Sequence, residues 1–184
     1  MPGRVPMRSL LLVLVPLSGV AFVSASRTAV LDDFPRTTID VGVHVSDIEA
    51  AADFYANVIG FTEVEGFEVA ADFATSAGLT DGEPLTVRVF VLGDDDSATR
   101  LKLMQIPGVS TRVGDNAFVH SQLGFRYLTI FIDDTNAALA RLRAAGHAPV
   151  AAGPVLIGED PAGDYLTVVR DPDGNLIELI GPRR

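Results

Sequence analysis

Asp40 and His44 stand four residues apart in Asp40-Val-Gly-Val-His44, where valines at 41, 43 and 45 alternate with Asp40, Gly42 and His44. A period of two is that of a strand with one apolar face and one face bearing an acid and an imidazole. Those groups could bind a metal or move a proton, but four residues of strand separate them by about 13 Å, so they cannot share one metal ion. His44 therefore reads as a hydrogen-bonded pocket wall or as a substrate contact. His120 lies in a loop-like stretch that either folds over a site or stays exposed. His147 follows a helix-ending glycine, where an imidazole is a common cap, and has no catalytic reading. Asp94, Asp95 and Asp96 lack the ligand spacing of a calcium loop and read as a solvated hairpin tip. The chain has no cysteine, which excludes disulfides, thiolate metal sites and lipidated cysteines.

The elements that must position these groups come in two sets. After the strand ending at Val45, Asp47 sits at a helix N-cap, Ile48, Ala51, Tyr55, Val58 and Ile59 share one helix side, and Gly60 ends the helix. Phe54 and Tyr55 read as packing that helix onto a sheet. Strands are predicted at 61–69, 84–92 and 100–106. The pattern then recurs: Leu128, Ile130 and Ile132 alternate with Tyr127, Thr129 and Phe131, Asp134 caps a helix through Ala138, Leu142 and Ala145, and Gly146 stops it. Strands are predicted at 149–151, 165–170 and 176–180, with a turn at Asp171-Pro-Asp-Gly174. A shift of 87 residues superposes Asp47 on Asp134, Val45 on Ile132 and Ala50-Ala51 on Ala137-Ala138. This is an internal duplication of a strand-helix-strand-strand-strand unit.

Each unit has one helix for four strands, so one face of its sheet stays uncovered and needs a partner. The predicted class is α+β, with two βαβββ modules forming a curved mixed sheet around a concave cleft. The segments Val45-Ser-Asp-Ile-Glu-Ala-Ala-Ala-Asp-Phe-Tyr-Ala-Asn-Val-Ile-Gly60 and Arg170-Asp-Pro-Asp-Gly-Asn-Leu-Ile-Glu-Leu-Ile-Gly181 resemble the vicinal oxygen chelate superfamily. That superfamily includes glyoxalase I, extradiol dioxygenases, methylmalonyl-CoA epimerase and the bleomycin and fosfomycin resistance proteins. The resemblance runs from about 38 to 181 and implies a first module at 38–106, a connector at 107–124 and a second module at 125–181, within a domain of 38–184.

The resemblance also implies where chemistry belongs. Metal-dependent members draw ligands from the first, fourth, fifth and eighth strands. The corresponding positions here are Asp40, Lys102, Tyr127 and Glu178, where histidine, glutamate or glutamine, histidine and glutamate are expected. An ammonium in a set with no histidine suits a divalent cation poorly, so no cofactor is predicted, and Asp40 and Glu178 are the fallback ligands of a metal. The expected arrangement is an ionic cluster of Asp40, Lys102 and Glu178 with Tyr127 beside it. Lys102, Glu178 and Tyr127 are the candidate catalytic residues, and Asp40, His44, Phe90, Thr129 and Phe131 the candidate substrate contacts. Gln105, three residues from Lys102, falls on the opposite sheet face.

A chain of 184 residues suits one domain. Arg4 and Arg8 precede an apolar run from Leu10 to Val23 that ends in Val23-Ser24-Ala25. This reads as a secretory signal peptide over 1–25, cleaved after Ala25, followed by an extension at 26–37. The run is shorter than the roughly 20 residues that span a bilayer and contains Pro16 and Gly19, against a membrane anchor. The mature protein is then secreted or periplasmic, without stable membrane insertion. Its 12 basic residues face 24 acidic ones, a net charge near −12, which argues against nucleic acid as a partner. A small-molecule ligand is expected, and the resemblance implies a homodimer. Three functions compete: a lyase or isomerase using side-chain acids and bases, a sequestering protein of the bleomycin-resistance type, and a metal-dependent glyoxalase or dioxygenase.

Overall fold

The computed structural model describes residues 34–36, 38–93 and 97–184. The predicted leader, most of the 26–37 extension and the Asp94–Asp96 hairpin tip lie outside the described residues. Residues 36–184 form one compact unit.

The chain runs β1 (Val41–His44), α1 (Ile48–Asp53), β2 (Thr62–Val69), α2 (Ala71–Ser76), β3 (Leu85–Val91), β4 (Arg100–Gln105), β5 (Tyr127–Phe131), α3 (Thr135–Ala144), β6 (Val155–Leu156), β7 (Asp164–Arg170) and β8 (Leu176–Pro182). The strands form two four-stranded mixed sheets with the same order, β1-β4-β3-β2 and β5-β8-β7-β6. In each, the first strand pairs parallel to the last and lies at an edge. Asp47 accepts from the backbone N–H groups of Glu49 and Ala50 at 3.0 Å, and Asp134 from that of Asn136 at 2.8 Å. Both caps satisfy helix-end donors that would otherwise lack partners.

The first helix departs from the plain α-helix of the second. From Phe54 to Ile59 it widens into a π-helix, closed by Gly60 N–H to the Tyr55 carbonyl at 3.1 Å. The wider turn buries Phe54, Tyr55, Val58 and Ile59 together. Gly60, at φ 108°, has the left-handed backbone that ends the helix. These residues join Leu101, Leu103, Ile130, Leu139, Leu142, Val169, Ile177 and Leu179 in one core that spans both modules. On the same helix-side face, Arg88 grips Glu63 through two bonds at 2.6 and 2.7 Å and reaches Glu49 at 2.9 Å.

Two sequence expectations need correction. The strand predicted at 149–151 does not form; only the Val150 N–H reaches β7, at the Val168 carbonyl (2.8 Å), and pairing resumes at Val155–Leu156. Pro149 and Pro154 lack the N–H a ladder needs. A short helix, α2, stands between β2 and β3 where none was predicted, anchored by the buried Ala74.

Candidate functional site

Strand alternation places Asp40, Gly42 and His44 on the side of the first sheet away from the helices, while Val41, Val43 and Val45 face the core. Gly42 pairs with Lys102 and Val89 pairs with Lys102 from the other side, so all share one face. There the Lys102 ammonium lies 2.8 Å from Asp40 Oδ2, and the Arg36 guanidinium lies 3.4 Å from the same oxygen. The Asp40 side chain is 14% exposed and that of Lys102 30%. The bond from Lys102 chiefly holds the Asp40 carboxyl below the ordinary carboxylate range; partial burial opposes it, and Arg36 and Arg100 add to it.

One wall of this face was not anticipated. In β2 the register shifts between Val64, opposite Val89, and Phe67, opposite Val87, so Glu65 and Gly66 together oppose Arg88. Without the extra residue, positions 64 and 67 would point to opposite faces. The bulge turns both toward Lys102, whose ammonium sits 5.9 Å over the Phe67 ring. Any side chain at position 66 would run into the Val87 backbone. The sequence signal was a glycine inside a strand pattern.

In the second sheet, Thr129 pairs with Glu178 and donates its hydroxyl to Glu178 Oε2 at 2.8 Å. Tyr127 and Phe131 share that face by alternation and are exposed, Phe131 by 76%. Between the edge strands β1 and β5 runs a crevice of about 350 Å³ lined by Val41, Phe61, Leu92, Thr99, Leu101, Leu128, Thr129, Ile130 and Phe131. Val41 and Leu101 line it from the helix side of the first sheet, so their strand neighbours Asp40 and Lys102 lie on the other face, while Thr129, which holds Glu178, lines it directly.

The expected single ionic cluster is corrected. Among the described residues no ion pair within 4.0 Å joins Lys102 to Glu178, and no hydrogen bond engages the Tyr127 hydroxyl; Glu178 is held within its own sheet by Thr129. Phe90 is also corrected: it pairs with Leu101, is 0% exposed and faces the helices. Its neighbour Val89 takes the position beside Lys102. His44 is exposed on the cleft face and has no side-chain hydrogen bond among the described residues. His120 stacks on Phe118 with ring centroids 5.6 Å apart, and His147 packs edge-on against Phe54 at 4.9 Å. The connector is tied to the second module by Arg170, which donates to the carbonyls of Asn116 and Ala117, while Arg126 donates to those of Asp115, Phe118 and Val119.

A buried polar tie between modules was also missed. The Tyr55 hydroxyl donates to Asp171 Oδ2 at 3.0 Å, and Asp171 accepts further bonds from Asp173 N, Asn175 N and Asn175 Nδ2. Burial, and then the Asp171 carboxylate, push the Tyr55 phenol well above its ordinary range. Beside it the Ser46 N–H donates to Asp173 at 3.1 Å.

The donors present do not fit a divalent metal. The four positions supply two carboxylates, a phenol and an ammonium, and the ammonium already engages Asp40. Asp40 and Glu178 belong to separate polar pairs, and among the described residues no three His, Cys, Asp or Glu side chains gather to hold an ion.

This fold and site can be set beside known proteins. Residues 38–179 match the family described as the Glyoxalase/Bleomycin resistance protein/Dioxygenase superfamily. The chain belongs to that superfamily. Within it, a lactoylglutathione lyase of Pseudomonas putida is 28% identical over 151 residues, 76% of this chain and 82% of that protein. A glyoxalase family protein from Bacillus cereus superposes with a TM-score of 0.65 at 20% identity, over 82% of this chain and 96% of that one. A glyoxalase I variant from Zea mays superposes with a TM-score of 0.58 at 20% identity, over 81% of this chain and 45% of that one. The superfamily's duplicated βαβββ architecture is thus the architecture of this chain.

Proposed function

We propose that this chain is an exported superfamily member that binds a small oxygenated organic molecule along the seam between its modules. In this reading it acts as a lyase or isomerase through side-chain acids and bases. The observation that carries it is the Lys102 ammonium, 2.8 Å from Asp40 on the cleft face of the first sheet, with Thr129, the partner of Glu178, lining the apolar crevice between the edge strands. A pocket of this size with few polar groups suits a small ligand. Lys102 polarises or protonates a substrate oxygen, Glu178 transfers a proton, and Tyr127 donates a hydrogen bond to the developing oxyanion. Similarity to a lactoylglutathione lyase supports the reaction class.

The test is turnover of a substrate identified by native mass spectrometry of the purified protein. Lys102→Ala and Glu178→Gln should each lower it on the order of 10²-fold; unchanged turnover in both variants ends the catalytic assignment. Exposed Tyr127 and Phe131 beside the crevice favour a second reading, sequestration without chemistry, in which the bound molecule is recovered unaltered. Export predicts that the mature protein begins at Ser26, which N-terminal analysis of secreted material checks. Exposed Leu123 and Phe125 support a homodimer, read from molar mass by light scattering.

A further inference from the structure

Among the described residues the charges around Asp40 do not balance. Three cations, Lys102, Arg36 and Arg100, act on one carboxylate, in a chain whose net charge is −10. Arg100 makes no ion pair among the described residues, and an ammonium has three N–H donors, of which Asp40 engages Lys102 on one side only. Its apolar neighbours on that face are the Phe67 ring below the ammonium, Val64 and Val89. A surplus of positive charge on a half-buried apolar floor attracts an anion whose remainder is apolar.

We propose that Lys102, Arg36 and Arg100 form the recognition site for the carboxylate of a small organic acid whose apolar body lies against Phe67, Val64 and Val89 on the cleft face. Asp40 already displays the mode of binding, since one of its oxygens is held by Lys102 and Arg36 together. The ligand carboxylate sits beside Asp40 and completes the charge balance. Asp40 therefore works against it, as a built-in competitor that orients Lys102. The assignment rests on the proposed reading of the cleft as the binding place and adds the chemical class of what binds there.

The experiment compares acids with their uncharged isosteres. Acetate, lactate and phenylacetate, and separately acetamide, lactamide and phenylacetamide, are titrated at constant ionic strength into the isotopically labelled full chain and followed by NMR. Expected are saturable shifts at Lys102 and Phe67 from the acids, tightest for phenylacetate, with each amide on the order of tenfold weaker. Lys102→Met should erase the preference for acid over amide, and Asp40→Asn should strengthen acid binding; melting curves verify that each variant is folded. Acids and amides binding equally, with shifts at Thr129 and Phe131, would overturn the anion site and leave the seam reading standing. No saturable shift from any of the six would overturn both. Inorganic phosphate binding more tightly than every organic acid would also refute the assignment, because it would remove the part given to the apolar floor.

Discussion

The two modules share a topology, a register and a capping aspartate, yet they use their faces in opposite ways. The first widens its helix so that Phe54 and Tyr55 penetrate the common core, and lays an ion pair over its open face. The second keeps a regular helix whose buried positions are Ala138, Leu139 and Leu142, and leaves Tyr127 and Phe131 open to solvent. Duplication repeats a backbone; the side chains then divide the work, with charge in one half and an apolar wall in the other.

The sharpest way to break this comparison is at the helix that differs. Phe54→Ala should cost about 3–5 kcal/mol in urea unfolding, as a large cavity in the shared core; a loss below about 1 kcal/mol would mean the widened turn does not anchor the modules. Tyr55→Phe should cost about 1 kcal/mol, because Asp171 loses one buried donor and keeps three. The ion pair gives a subtler signature. Asp40 titrates below its ordinary value, so its contribution is fully present above about pH 4 and is lost as pH falls through the depressed pKa. Asp40→Asn should therefore lower stability at neutral pH by a small amount and flatten the acid limb, the two profiles converging as pH falls through the depressed pKa; an unaltered limb would remove the pair from the energetics. Phe131→Ala should change stability by no more than about 0.5 kcal/mol while weakening ligand binding, since this ring is exposed. A large loss of stability there would show that the second face is packed rather than open.

Most of the architecture could be read from the chain because it rests on local signals: two capping aspartates, two helix-ending glycines and strict alternation in the first strand of each module. Lys102 is placed with Asp40 by the superfamily resemblance, since no local signal says which β4 residue faces β1. Phe90 could not be placed, because its face depends on which β4 residue it opposes, and a one-residue change of register reverses every side chain. Phe67 escaped because a bulge exchanges faces partway along a strand, and only Gly66 hinted at it. The Tyr55 to Asp171 bond joins residues 116 apart, and no local pattern announces a contact of that span. The separation of Glu178 from Lys102 likewise depends on how two sheets meet, which alternation within a strand cannot specify.

The bonds from Tyr55 and Ser46 to the turn at Asp171 and Asp173 cross from one half to the other without passing through the connector. Covalent continuity between the halves is therefore not what keeps them together. A protease cut between 107 and 124 should yield two peptides that still travel as a single folded particle, and separately expressed halves should find each other on mixing.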